Sequence, residues 1–182
     1  MSNKGYEQII NAVINDSDIY LSDIPEIDLY MDQIISLIED KYKDHKKSPK
    51  DKLLTKTMIN NYSKEGIIKP IKGKKYSRAH IIQMLMIYSM KNTLTIKEIK
   101  EVFISGNFDK DTLIKCYEDF IEDKSKIRQM TKEMVTSFME DKNLTLEEDS
   151  DKLVALLGIT AMSSYMKNIA QRIIDEYFME GK

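Results

Sequence analysis

The sequence predicts a mainly α-helical protein built on a winged helix-turn-helix with one small β-hairpin wing, plus a C-terminal helical region. Three observations predict it. Apolar residues recur at helical spacing along nearly all of the 182 residues. Residues 53–103 read in order as a threonine-started helix, a glycine stop, a Lys/Gly-rich hairpin and two further helices. Residues 41–80 hold thirteen Lys/Arg against three acids, a local charge of +10 in a chain whose net charge is −2.

The elements follow in order. Tyr6, Ile9, Ile10, Val13 and Ile14 have helical spacing and predict a short first helix. Pro25 disfavours helix in the residue before it, so residues 22–27 form a connector. Asp28 is the expected N-cap of a second helix with the stripe Met31, Ile34, Ile35 and Ile38. That helix fades into a basic loop, 41–52, containing Pro49.

Thr55 caps the third helix, 55–65, whose apolar face is Met58, Ile59 and Tyr62; Gly66 ends it in a left-handed cap. Residues 67–71 and 75–76 flank the hairpin tip Lys72-Gly73-Lys74, giving the wing, 70–78. Ser77 caps the next helix, with Ile81, Ile82, Leu85, Met86 and Met90, and Thr95-Ile96-Lys97-Glu98 is a capping box for another. Residues 109–141 form one long helix or two broken near 123–125. Asn143 ends it, Thr145 and Glu148 form a second capping box, and a last helix runs to about Phe178. The expected division is residues 1–23 as N-terminal helix and connector, 24–105 as the DNA-binding domain, and 106–182 as a dimerisation or effector region.

Composition narrows the class. No segment reaches the ~18 uninterrupted apolar residues of a membrane helix, and the N-terminus lacks the apolar core and cleavage site of an export signal. A cytoplasmic protein without membrane contact is expected. The single cysteine, Cys116, excludes an internal disulfide and a cysteine-based zinc site, and its apolar neighbours Leu113 and Tyr117 suggest buried filler. The two histidines, His45 and His80, have no metal-ligand spacing; His80 falls in a cap region. The acidic run at 147–151 lacks the spacing of a calcium loop and suits a solvated helix start. No catalytic constellation stands out, so neither an enzyme nor a cofactor is expected.

Residues 54–68 resemble the recognition helix of MerR-type regulators, with Thr55 as cap, residues 58–62 as the central run, and Gly66-Ile67-Ile68 as its exit. Lys74-Lys75-Tyr76 looks like that family's basic-aromatic wing strand, and residues 94–99 are similar to its closing helix. The segments Asp-Leu-Tyr-Met-Asp-Gln (28–33) and Leu-Thr-Lys-Thr-Met-Ile-Asn-Asn-Tyr (54–62) more specifically resemble an uncharacterised bacterial family with a MerR-like N-terminal domain. The resemblance covers about residues 24–105 and implies DNA binding.

Lys56, Thr57, Asn60, Asn61 and Lys64 recur at spacings that place much of the set on one helix face. Asn reads adenine through paired hydrogen bonds, and Lys reads guanine or contacts phosphate. Asn60 and Asn61 are therefore candidate base readers, with Lys56, Thr57 and Lys64 mainly phosphate contacts. Lys72, Lys74, Lys75 and Arg78 would follow the DNA backbone, with Tyr76 packing the wing or reaching a phosphate. The expected partners are double-stranded DNA, a second copy in a homodimer, and an unknown small-molecule effector. The alternative is a helical protein-interaction module, or a ligand sensor acting through the C-terminal helices, without sequence-specific DNA binding. Its Met-rich stripes (Met84, Met86, Met90; Met130, Met134; Met162, Met166) read first as core filling.

Overall fold

The periodic apolar residues become seven α-helices in the computed structural model, which describes residues 5–43, 53–71 and 73–179. They are α1 Gly5–Ile14, α2 Met31–Lys41, α3 Lys56–Lys64, α4 Arg78–Met90, α5 Ile96–Ser105, α6 Lys110–Asp141 and α7 Asp149–Tyr177. Two short strands, β1 Leu29–Tyr30 and β2 Lys75–Tyr76, pair antiparallel with Leu29 opposite Tyr76 and Tyr30 opposite Lys75. The protein is thus mainly helical with one small sheet. Much of the basic loop predicted over 41–52, His45 included, lies outside the described residues, as does Lys72 at the expected wing tip.

The chain forms two compact units. One comprises residues 17–121 and the chain from Ala170 onward. Its centre is α4, where Ile81, Ile82, Met84, Leu85 and Ile87 are all sealed from solvent. A helix apolar on every side belongs inside a domain rather than on its surface. Around it pack Ile34 and Ile38 of α2, Ile59 and Tyr62 of α3, Ile99 and Phe103 of α5, and Leu113, Tyr117 and Ile121 of α6. The packed unit therefore extends past residue 105. Two buried polar groups are satisfied, as burial demands. Gln83 Nε2 donates to the Ile67 carbonyl at 2.6 Å, and the Tyr117 hydroxyl donates to the Ile19 carbonyl at 2.8 Å.

The other unit comprises the chain up to Asp16 and residues 122–169. Its small core is Tyr6, Met139, Leu144 and Ala155, with Ile10, Val135 and Phe138 against it. Gly158 of α7 lets Phe138 of α6 come close; a Cβ there would run into the Phe138 ring. Asp16, just after α1, is gripped by Lys124 at 2.9 Å and Arg128 at 2.6 Å. Burial opposes its charged form, yet the hydrogen bonds from those two cations outweigh burial and hold its carboxyl below the usual range.

Several sequence expectations change in detail. Asp28 does not cap α2, because Leu29 and Tyr30 first enter the sheet; the Tyr30 amide instead donates to Gln33 Oε1 at 2.8 Å. The expected local β-hairpin is a pairing between distant segments, since β2 joins β1 rather than residues 67–71. The reason lies in the backbone: the amides of Ile67 and Ile68 both donate to the Tyr62 carbonyl, and Pro70 has no amide to offer. Thr145 and Glu148 form no capping box, because α7 starts at Asp149. Asp151 Oδ2 accepts the Thr145 amide instead, at 3.1 Å. Residues 110–141 form one unbroken helix. Cys116 is exposed rather than buried, since Leu113, Tyr117 and Ile121 take the inward stripe of α6 and leave it on the flank. Of the methionine stripes only Met84 is sealed, whereas Met130, Met134 and Met166 are exposed.

Candidate nucleic-acid interface

Helix α3 is defined at both ends by its own sequence. Thr55 Oγ1 accepts the Met58 amide at 3.1 Å, as an N-cap should. At the other end Gly66 takes φ +71°, its amide donates to the Ser63 carbonyl at 3.1 Å, and the Ile67 amide donates to that of Tyr62 at 2.9 Å. This is a Schellman ending, with Tyr62 and Ile67 as its apolar pair. Rotation is fixed by burial: Ile59 and Tyr62 face the core, so Lys56, Thr57, Asn60, Asn61 and Lys64 all point to solvent.

The basic turn after α3 is anchored from below. Ile71 is half-buried, Gly73 and Lys74 both take positive φ (61° and 64°), and β2 follows. Lys74 and Lys75 are exposed, with the Lys75 ammonium 5.2 Å from the centre of the Tyr30 ring. Tyr76 is buried, where it meets the Ser63 hydroxyl and the edge of His80, so its role is to pack this region. His80 closes the N-terminus of α4: its Nδ1 accepts the Ser77 amide at 3.2 Å and lies 2.7 Å from Ser77 Oγ. Burial lowers its pKa, which keeps the imidazole neutral for that capping role.

The structure separates the candidate cations by environment. Arg78 turns inward, donating to the Leu21 carbonyl and lying 3.5 Å from Glu26, so it braces the connector rather than a backbone track. Lys56 lies 2.7 Å from Asp32 at the start of α2. Lys69, outside the predicted set, donates to the Phe108 carbonyl at 2.7 Å. Lys64, Lys74 and Lys75 have no acidic partner among the described residues. What the sequence alone did not offer is Tyr30 as a platform for Lys75 and Asp32 as a counter-charge to Lys56. Both depend on the nonlocal β1–β2 pairing and on the α2–α3 neighbourhood. No cluster of three or more His, Cys, Asp or Glu that could hold a metal occurs among the described residues.

The fold and this face define a small helical domain with an outward polar helix beside a basic turn. Residues 19–120 match a family described as a domain of unknown function, DUF1836, over more than half of the chain, and the chain belongs to it. No curated protein and no solved structure matches.

Proposed function

We propose that the protein is a transcriptional regulator that binds duplex DNA through α3 and the basic turn at 73–75, with a MerR-like winged helix-turn-helix arrangement. One observation carries the reading: the helix that buries Ile59 and Tyr62 on one side presents Asn60, Asn61 and Lys64 together on the other. Asn60 and Asn61 read base edges, while Thr57, Lys64, Lys74 and Lys75 contact phosphate. Lys56 joins them by exchanging Asp32 for a phosphate. The local +10 charge steers the encounter. The protein acts as a homodimer, a reading supported by the exposed apolar residues of α7 and by the pairing of DNA half-sites.

The test is fluorescence anisotropy of the full chain on genomic and random duplexes across a salt series. Log affinity should fall by roughly 0.9 per phosphate contact for each tenfold rise in salt, and Lys64→Ala or Lys74→Ala should each reduce that slope by about one contact. Asn60→Ala should cost about 1–3 kcal/mol on a preferred sequence and little on a random one. A salt-independent signal, or none, rejects the reading.

A further inference from the structure

We propose that the concavity between α4, α5 and the first turns of α6 is a binding site for a small, uncharged, lipophilic molecule. It has a volume of about 350 Å³, at the lower end of the ~300–1,000 Å³ range of small-molecule pockets. Met86 and Met90 of α4 form one wall, Phe103 of α5 a second, and Cys116 and Phe120 of α6 a third. No charged side chain lines it. The one hydroxyl, on Ser89, donates to the Leu85 carbonyl of its own helix at 3.1 Å. Such a space would take on the order of a dozen waters at ~30 Å³ each, and they would find scarcely any partner. An apolar guest releases them favourably. Methionine and phenylalanine walls suit aromatic or alkyl groups, because thioethers adapt in shape and contact rings well.

The fourth side is held in place by separate contacts, which marks the concavity as a formed feature of the domain. The turn between α5 and α6 brings Phe108 to its edge. Gly106 makes room for that ring, since a Cβ there would collide with it, and Asn107 takes φ +41°. Phe108 is edge-on to Phe103 and tilted against Phe178, with ring centres 6.4 and 6.3 Å apart. The turn is tied down by Lys69 on the Phe108 carbonyl and by the Thr112 amide on Asp109 Oδ1 at 2.7 Å.

The proposal stands apart from DNA binding, and its test needs no nucleic acid. The neutral fluorophore N-phenyl-1-naphthylamine is titrated into the full chain, and Cys116, the single thiol, reports on the site through its rate of alkylation by N-ethylmaleimide. Saturating probe should slow that rate at least threefold. Ser89→Phe, which fills the concavity from an exposed position, should weaken probe binding at least tenfold. The double variant Leu156→Gln/Leu157→Gln, on the exposed face of α7, should leave binding unchanged. If Ser89→Phe loses its helical circular dichroism, Val102→Phe takes its place, and protection of the wild-type thiol decides if both fail. An unprotected thiol at saturation overturns the proposal, as does binding that survives filling but is lost in the α7 double variant.

Discussion

The two compact units use the same residue types in opposite ways. In the unit containing the family match, α4 buries Ile81, Ile82, Leu85 and Ile87, and Ile34, Ile38, Ile59 and Ile99 of α2, α3 and α5 are sealed with them; Leu85 and Ile59 are both 0% exposed. In the other, α7 leaves Leu153, Leu156, Leu157 and Tyr165 in the open, Leu156 at 63%. By length and composition α7 is even apolar enough to cross a membrane, with almost none of its most apolar window buried. A long core helix of a soluble protein passes the same composition test when its partners surround it. Apolar periodicity therefore announces that a helix wants a partner without saying whether its own chain supplies one.

The largest expected effect tests that contrast. Leu85→Ala should destabilise the protein by about 2–5 kcal/mol, the cost of a cavity in a packed core. Leu156→Ala should change monomer stability by no more than about 0.5 kcal/mol. Urea unfolding followed by circular dichroism at two protein concentrations measures both. At concentrations where the proposed homodimer forms, a larger, concentration-dependent loss at Leu156 is the expected result, and its absence would count against a second copy covering the α7 face.

The next effect is smaller and sharpens the comparison at helix ends. Both units close a helix with a Schellman motif: α3 at Gly66, φ +71°, and α6 at Asn143, φ +52°, where the Leu144 amide donates to the Met139 carbonyl at 2.9 Å. Nothing crowds Gly66, so Gly66→Ala isolates the backbone strain and should cost about 1–2 kcal/mol. Asn143→Gly places the more permissive residue in the same conformation and should stay within about 0.5 kcal/mol of the parent. A Gly66→Ala variant as stable as the parent would mean that the ending of α3 relaxes, and the presentation of Asn60 and Asn61 with it.

These endings also show what the sequence disclosed. Thr55, Gly66, Thr95 with Glu98, and Asn143 act locally, through hydrogen bonds spanning three to five residues, and each was readable from type and spacing. The outward face of α3 was legible for the same reason, since burying Ile59 and Tyr62 sets the rotation of the helix. Nonlocal partnerships were not legible. Nothing near Lys75 points to Tyr30, nothing near Arg78 points to Leu21, and the swap of a local hairpin for the β1–β2 pair depended on which amides α3 had already engaged. Cys116 is exposed although its neighbours Leu113 and Tyr117 are apolar, because the inward stripe of α6 passes beside it. The concavity around Phe108 needs three helices and the turn between α5 and α6, so no single segment could announce it.

The smallest expected effect is also the most specific to one unit. Asp16 holds Lys124 and Arg128 in the unit whose core is small, while Asp23 in the other unit holds Lys41 at 2.6 Å and accepts the Tyr20 amide at 2.9 Å. Both carboxyls are depressed in the folded protein, Asp23 chiefly through the hydrogen bond from Lys41. A depressed folded pKa means that the stabilisation is fully present above the unfolded value and is lost as pH falls through the folded one. Asp16→Asn should therefore cost on the order of 1 kcal/mol near pH 7, the upper end for a partly exposed pair, and nothing once Asp16 is protonated at strongly acid pH. Urea midpoints of the parent and Asp16→Asn should accordingly converge as pH drops below about 4, the range of an unperturbed aspartate. A gap that persists unchanged to low pH would assign the loss to packing around α1 rather than to the ion pairs. In that case Tyr6, the one residue of α1 buried from solvent, would be its main anchor.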